Sequence, residues 1–179
     1  MTRLQQAVFL DRDGVLNRTF VKDGVSHPPE RLEDFDFLPG VVEAARRLAA
    51  AGFALVVVTN QPDVARGTQT RQRVEQLNDV VRRELPVLEV VTCFHDAADG
   101  CLCRKPKPGM LLEAARRWRL DVRRSYMVGD RWSDVAAGRE AGCATIFVDY
   151  GYEPETPSKA DKVVATFAEA ARVILDGRN

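Results

Sequence analysis

Short apolar runs alternate along this chain with segments in which apolar residues recur at helical spacing. The apolar runs predict buried β-strands, and the segments with helical spacing predict amphipathic helices. Because the two kinds of segment alternate, we expect an α/β fold with a Rossmann-like, doubly wound parallel sheet. The predicted strands span residues 7–10, 53–58, 88–93, 126–128 and 144–148.

Local signals mark the ends of the predicted helices. Pro39 precedes the first helix and Gly52 follows it, while Pro86 ends the second. Thr166 and Glu169 match a capping box at the start of the last helix. The apolar positions of the five helices lie within residues 41–49, 74–85, 110–118, 135–141 and 167–174.

Composition and charge narrow the class of protein. The 179 residues are 45% hydrophobic, and we expect one ordinary domain over 1–179, with residues 151–160 as a loop inside it. With 26 basic and 26 acidic side chains, the net charge is zero and gives no general attraction to nucleic acid or an anionic membrane. Since the chain shows neither a signal peptide nor a membrane-spanning apolar run, we expect a cytoplasmic protein. We also expect a monomer.

Two close pairs of metal-ligating side chains lie within residues 93–103, directly before a basic run. Three thiolates and one imidazole favour tetrahedral zinc, and four protein ligands leave no position for a catalytic water. We therefore expect a structural zinc ion. The alternatives are a redox pair, separate buried thiols or a disulfide, which is rare in a reducing cytoplasm. Cys143 is predicted to be a small core residue at a strand start. The predicted zinc ligands are Cys93, His95, Cys101 and Cys103.

Carboxylates follow two of the predicted strands, at the sheet edge where doubly wound folds bind their ligands. Asp11 and Asp13 follow the first strand, and Gly14 permits a turn there. Alone, such a pair is a weak signal, because Asp also caps turns. Asp130 ends another strand of the same sheet. Carboxylates with a backbone carbonyl form a hard oxygen site that suits Mg²⁺.

Other polar residues at the same edge favour an anionic substrate. Thr59 offers a hydroxyl, and Lys105 offers a compact positive charge. With Mg²⁺, these groups can offset the charge of a phosphoryl group, which is the main electrostatic task in phosphoryl transfer. A solvated surface lysine is the alternative for Lys105, although its place before Pro106 favours a fixed position.

Four short motifs occur along the chain: Asp11-x-Asp13-Gly14, Thr59, Lys105 and Gly129-Asp130-x-x-x-Asp134. In these motifs the chain resembles the haloacid dehalogenase superfamily of phosphatases. The resemblance implies that Asp11 is the nucleophile, which forms an aspartyl-phosphate. It implies that Asp13 protonates the leaving alkoxide and then deprotonates the attacking water, so we expect its environment to raise the pKa of Asp13.

The same resemblance implies a catalytic Mg²⁺ ion held by Asp11, Asp130 and the backbone carbonyl of Asp13. Thr59 and Lys105 would stabilise the phosphoryl oxygens. Asp134 would orient Lys105 or a metal-bound water.

The spacing of the motifs leaves no room for a cap domain. Thr59 follows Asp13 by 46 positions, and Lys105 follows Thr59 by 46 positions. Specificity is then left to short loops, notably residues 18–29 and the zinc loop, residues 93–103. We expect Arg104, a planar bidentate donor, to bind a second phosphate. A solvated arginine is the alternative for Arg131. The predicted substrate-binding residues are Thr19, Asn60, Arg104 and Arg131.

The zinc loop beside Lys105 resembles one branch of the superfamily, whose members act on heptose bisphosphate or histidinol phosphate. The longer motif matches favour the heptose bisphosphate, with removal of its C7 phosphate in nucleotide-activated heptose (lipopolysaccharide core) biosynthesis. The short spacer between His95 and Cys101 favours histidinol phosphate of histidine biosynthesis, whose amine and imidazole Asp96 and Asp99 could bind.

Three further side chains receive non-catalytic predictions. His27 is predicted to be a surface loop histidine, and Trp118 and Trp132 are predicted to be packing residues.

A zinc-stabilised module that binds a phosphorylated ligand without turnover is the alternative of another class. Such a module would lack the nucleophile or the acid, whereas Asp11 and Asp13 are both present. A nucleic-acid-binding zinc module is disfavoured because the chain has no basic excess and no finger-like helix between the ligand pairs.

Overall fold

The computed structural model describes residues 4–22, 25–151 and 159–177. The strands are β1 (Ala7–Leu10), β2 (Phe20–Lys22), β3 (Val25–His27), β4 (Ala54–Asn60), β5 (Val87–Cys93), β6 (Tyr126–Gly129), β7 (Ala144–Val148) and β8 (Lys162–Val164). The helices are α1 (Val41–Ala50), α2 (Arg71–Glu84), α3 (Gly109–Trp118), α4 (Trp132–Ala141) and α5 (Phe167–Asp176). Six strands form one parallel sheet in the order β5-β4-β1-β6-β7-β8, as the doubly wound prediction requires.

Side chains on the two faces of the sheet pack into two separate apolar layers, one on each face. Val8 and Leu10 of β1 pack in the layer that contains α1 and α5, while Ala7 and Phe9 pack in the layer that contains α3 and α4. This alternation follows from the two-residue period of a strand. Both faces of β1 are therefore buried, which explains its continuous apolar run.

The register of the sheet determines where the polar residues meet. Leu10 pairs with Val57 on one side and with Val128 on the other. β1 lies between β4 and β6, and the three strands are parallel, so their carboxyl ends lie side by side. Such a point, where the strand order reverses, is where doubly wound sheets bind their ligands. Asp11 and Asp130 extend from two of these ends.

Two elements were missed by the sequence prediction. Residues 18–29, predicted to be a loop, contain the antiparallel hairpin of β2 and β3, whose strands have three residues each and pair with one another. β8 is a three-residue edge strand in which Lys162 and Val163 are exposed. Neither case offers the apolar run that marks a buried strand. Of the predicted loop 151–160, residues 152–158 lie outside the described part.

Two helices, α2 and α4, begin three residues before their first predicted apolar position. α2 begins at Arg71, one polar turn before the first apolar position, because the Thr70 hydroxyl accepts a hydrogen bond from the backbone N–H of Arg73. Thr166 caps α5 by accepting from the N–H of Glu169, as predicted. A full capping box would also have the Glu169 carboxylate accept a hydrogen bond from the N–H of Thr166. That part of the prediction is wrong, because the carboxylate accepts from the N–H of Ala165 instead. Across the described ranges, no helix is both long and apolar enough to cross a membrane.

Candidate active site

Lys105 lies between two buried carboxylates at the carboxyl edge of the sheet. Its Nζ is 2.8 Å from Oδ1 of Asp11 and 2.6 Å from Oδ1 of Asp134, and it donates to the carbonyl of Val58 at 2.8 Å. Asp130 is equally buried beside them. Oxygen atoms of Asp11, Asp130 and Asp134 all lie within 4.8 Å of one another. The predicted nucleophile, lysine and acidic residues are therefore brought together.

The charges in this cluster strongly perturb one another. Burial raises the pKa of Asp11 to about 6, against the attraction of Lys105. Burial also disfavours the Lys105 ammonium, but the charges and hydrogen bonds of Asp11 and Asp134 outweigh it and raise the pKa of Lys105 above its ordinary value. Lys105 therefore stays charged at neutral pH.

The donor set in this cluster fits a hard divalent cation. Three buried carboxylates face one ammonium, so the cluster has an excess of negative charge that a cation would offset. Asp134 contacts two donors: its Oδ1 contacts the Lys105 Nζ, and its Oδ2 accepts a hydrogen bond from the backbone N–H of Arg131 at 3.0 Å. Asp11 and Asp130 are the carboxylates predicted to hold Mg²⁺, and their oxygen atoms lie close enough to share one ion.

Asp13 lies in a network of donors that sequence reasoning did not anticipate. Burial opposes its ionisation, but the Arg12 guanidinium and hydrogen bonds from Arg12, Asn17 and Gln61 outweigh it and lower the pKa of Asp13. The Arg12 Nη2 lies 3.0 Å from the carboxylate, and the Gln61 Nε2 lies 2.7 Å from it. The expectation of a raised pKa is therefore wrong for the protein without bound substrate.

Arg12 is the largest fully buried side chain and was missed as a functional residue. Its Nη1 donates to Oδ1 of Asn78 on α2 at 2.8 Å, and Asn78 in turn donates to the hydroxyl of Thr92. A buried guanidinium needs such partners on every side. The available sequence signal was an arginine inside a buried strand end, directly before Asp13.

Thr59 and Asn60 hold other site residues in place. The Thr59 hydroxyl is buried and accepts a hydrogen bond from Gln61, which itself lines the cavity described below. The Asn60 side chain donates to the carbonyl of Lys105 at 3.0 Å and accepts from its N–H at 3.1 Å. This reciprocal pair fixes the Lys105 backbone, so Asn60 has a positioning task besides lining the cavity.

Gly129 leaves the space that Asp134 occupies. A Cβ atom at this position would overlap the Asp134 side chain, including its Oδ2. We expect Gly129→Ala to displace that carboxylate from Lys105 and to lower kcat about 100-fold, as a shift of about 1 Å in a catalytic group can. Steady-state kinetics and the melting temperature should be measured together.

Gly138→Ala is the matched control for that variant. Its Cβ would overlap Met127 and Thr145 in the core, away from Lys105. This variant should lower the melting temperature while folded protein keeps its kcat. Equal losses of kcat in the two variants would contradict a specific effect through Asp134.

The four predicted zinc ligands form a second cluster. The Cys93 Sγ lies 3.3 Å from the Cys103 Sγ, 3.8 Å from the Cys101 Sγ and 3.7 Å from the His95 Nδ1. The edge of a tetrahedron with Zn–S arms of about 2.3 Å is about 3.8 Å, so these separations fit zinc. Burial raises the pKa of Cys93 to about 12, and a bound cation would release that proton.

Contacts join the zinc loop to the rest of the site. The Arg104 Nη1 donates to the carbonyl of His95 at 3.2 Å. Asp96 forms a bidentate ion pair with Arg66, with both distances 2.8 Å, and this pair lowers the pKa of Asp96 to about 2. A Cβ at Gly109 would overlap the backbone of Leu102, so the loop passes directly over the start of α3.

An open cavity of about 550 Å³ lies above the carboxylates. Thr19, Arg104 and Arg131 line it, as their predicted role requires. His27 is exposed, as predicted, but it belongs to β3 and also lines the cavity. Trp132 lines the cavity too and is 55% exposed, so the packing prediction is wrong for it.

The remaining predicted residues lie away from the cavity. Trp118 is 43% exposed and donates to the Glu89 carboxylate at 2.7 Å, so it is a surface residue on α3 and not a buried one. Cys143 is buried immediately before β7, as predicted.

Comparisons with known proteins agree with this geometry. The family model described as HAD-hydrolase-like matches residues 102–170. The D-glycero-beta-D-manno-heptose-1,7-bisphosphate 7-phosphatase of Escherichia coli K12 is 36% identical over 189 residues, covering 97% of this chain and 96% of the relative. The protein of the same name from Yersinia pestis is 35% identical and the match covers 97% of each chain.

A solved structure is also similar over nearly the whole chain. The D,D-heptose 1,7-bisphosphate phosphatase from B. bronchiseptica, complexed with magnesium and phosphate, matches with a TM-score of 0.82 at 31% identity. The match covers 96% of this chain and 99% of that one.

Proposed function

Since this chain belongs to the haloacid dehalogenase-like hydrolases, we propose that it is a Mg²⁺-dependent phosphatase. Its substrate is D-glycero-D-manno-heptose 1,7-bisphosphate, from which it removes the C7 phosphate in nucleotide-activated heptose (lipopolysaccharide core) biosynthesis. The observation that carries the proposal is the Lys105 ammonium between Asp11 and Asp134, beside buried Asp130 and beneath an open cavity. The names of the relatives support the substrate.

Asp11 attacks the phosphorus atom and forms an aspartyl-phosphate, and Lys105 stabilises the charge on the phosphoryl oxygens. Mg²⁺ bound by Asp11, Asp130 and the carbonyl of Asp13 would offset further negative charge. Asp134 holds the Lys105 ammonium in place, as their 2.6 Å contact supports. Thr59, beneath Gln61, adds a hydroxyl to the same phosphoryl site.

Asp13 donates a proton to the leaving alkoxide and then accepts one from the attacking water. In the free protein its donors keep it ionised. The negative charge of a bound phosphate raises the pKa of a neighbouring carboxyl, so Asp13 acquires its proton when the substrate is present. The network of Arg12, Asn17 and Gln61 holds the carboxylate in place until then.

The zinc-loop contacts favour the bisphosphate over histidinol phosphate. Arg104 and Arg131 line the cavity and supply positive charge for the second phosphate. Asp96 is paired with Arg66, and Asp99 accepts a hydrogen bond from the N–H of Asp96 at 2.7 Å. The carboxylates that could have bound the amine of histidinol phosphate are therefore already engaged with other groups of the protein.

Zinc has a positional task in this account, because Arg104 and Lys105 follow the last ligand, Cys103, without a gap. Removing zinc with a chelator, followed by excess Mg²⁺, is expected to lower kcat/KM for the bisphosphate about 10-fold or more. Metal content and kcat/KM should be measured on the same sample, and restored zinc should restore activity.

Cys143→Ser provides the control, since Cys143 lies outside the zinc cluster and should not change the zinc content. Full activity in protein shown to lack zinc would contradict the coupling between the loop and Lys105.

We also propose that the enzyme acts as a cytoplasmic monomer. Three zinc-binding thiols suit a reducing compartment. Light scattering after size exclusion should give a mass near the 19.9 kDa of one chain, and a stable dimer would refute this.

Phosphorus NMR tests the proposed reaction. Heptose 1,7-bisphosphate is incubated with enzyme and Mg²⁺ while both phosphate signals are followed. The C7 phosphate signal should be replaced by inorganic phosphate while the C1 phosphate remains. Loss of the C1 phosphate, or no release at all, would overturn the assignment.

A further inference from the structure

Trp132 presents an indole to the active-site cavity. It is the first residue of α4 and follows Asp130 by two positions. It is 55% exposed, whereas Asp11 and Lys105, which meet the reacting phosphate, are only 6% and 3% exposed. The indole therefore lies toward the open side of the cavity, where the rest of a bound substrate must extend.

Most of the residues that line the cavity are polar or charged. Arg104 and Arg131 suit phosphate, and Asn60, Gln61 and Asp63 suit hydroxyl groups. Among the described residues that line the cavity, Trp132 carries the only benzenoid ring. The other apolar residues that line the cavity are small or are prolines: Pro28, Pro62, Ala97 and Pro106. The indole of Trp132 is a broad flat apolar surface, which phosphate binding does not require.

A sugar bisphosphate presents two kinds of surface: anionic phosphates with hydroxyls, and the C–H groups on the faces of the sugar. Cations and amides bind the first kind. The face of an aromatic ring suits the second, because it is flat, apolar and carries partial negative charge toward C–H groups.

We propose that Trp132 is a specificity-determining residue whose indole packs against the C–H face of the sugar. This inference rests on the proposed function and extends it from the phosphates to the sugar between them. In a phosphatase without a cap domain, this ring supplies apolar contact that a cap would otherwise provide. The contact exists in both the ground state and the transition state, so it acts on KM more than on kcat.

Kinetics with two substrates test the contact. Trp132→Ala should raise KM for heptose 1,7-bisphosphate about 10-fold or more, with kcat within about twofold, as expected for a lost apolar contact. KM for acetyl phosphate, which has no sugar, should not change. Trp132→Phe should recover most of the loss because it keeps a ring. An unchanged KM for the bisphosphate, or an equal loss on acetyl phosphate, would overturn the inference.

The second tryptophan supplies a matched control. Trp118 is also partly exposed, but it is the last residue of α3 and donates a hydrogen bond to Glu89, and neither residue lines the cavity. Trp118→Ala should leave KM and kcat unchanged for both heptose 1,7-bisphosphate and acetyl phosphate. Because the chain has two tryptophans, Trp118→Phe leaves Trp132 as the sole indole.

Fluorescence then reports on Trp132 directly. Trp118→Phe combined with Asp11→Asn, which blocks turnover, is titrated with heptose 1,7-bisphosphate and with inorganic phosphate in the presence of Mg²⁺. The bisphosphate should change the emission saturably, and inorganic phosphate much less. If calorimetry shows that the bisphosphate binds but the emission does not change, the role of Trp132 is overturned and the proposed function stands. If the bisphosphate does not bind, both the role of Trp132 and the proposed function are overturned.

Discussion

Replacing Asp11 with Asn is expected to lower kcat at least about 10,000-fold, because the amide cannot act as the nucleophile. The side chain keeps its shape, so the contact with Lys105 remains possible. Phosphate release should be followed under saturating substrate, with Asp176→Asn, an exposed position on α5, as the control. Activity within 10-fold of the unchanged protein would reject Asp11 as the nucleophile.

The same variant should not lose stability. The folded-state pKa of Asp11, about 6, lies above its ordinary value of 3.8. Its ionisation therefore costs folding free energy, a cost that appears as pH rises from about 4 through 6 and is complete above that. In metal-free protein at pH 7.5, Asp11→Asn should have an equal or higher free energy of unfolding. Mg²⁺ should raise the melting temperature of the unchanged protein more than that of the variant.

Replacing Lys105 with Met is expected to damage both stability and activity. It leaves Asp11 and Asp134 buried without their cation, which should cost about 3–5 kcal/mol of unfolding free energy in metal-free protein at pH 8. Loss of the donor should lower kcat about 100-fold to 1,000-fold. Urea unfolding with a chelator and steady-state kinetics with Mg²⁺ measure the two effects.

The stability loss should depend on pH. Lys105 lowers the pKa of Asp11, so without Lys105 that pKa rises further above its ordinary value of 3.8. The destabilising ionisation of Asp11 is then complete only at pH values above this raised pKa, and it is progressively lost as pH falls from the raised pKa toward 3.8. The deficit at pH 5 should be smaller than at pH 8. Lys162→Met, exposed on β8, should show little deficit at either pH. A deficit independent of pH would contradict unpaired carboxylates as its cause.

The sheet was predictable from sequence because its strands are buried on both faces. All four residues of β1 are buried, and such a run has no polar position to confuse the pattern. The same rule predicted the meeting of Asp11 and Asp130, since parallel strands present their carboxyl ends at one edge. The short strands β2, β3 and β8 carry no such signal, because three residues are too few to form a recognisable apolar run.

The network around Asp13 could not be predicted because its members come from separate elements. Arg12 reaches Asn78 across 66 positions in sequence, and Gln61 reaches Asp13 across 48. These bonds lower the pKa of Asp13, whereas its catalytic role alone led us to expect a raised pKa. The exposure of Trp132 could not be predicted for a similar reason. Whether a tryptophan at the start of a helix is buried depends on which other elements pack against that end of the helix.

The most direct test of the central claim compares kcat/KM for heptose 1,7-bisphosphate, histidinol phosphate and sugar monophosphates, with zinc retained and Mg²⁺ in excess. We predict that the heptose bisphosphate exceeds each of the others by about 100-fold, because only it offers a second phosphate to Arg104. An equal or higher value for histidinol phosphate would contradict the account.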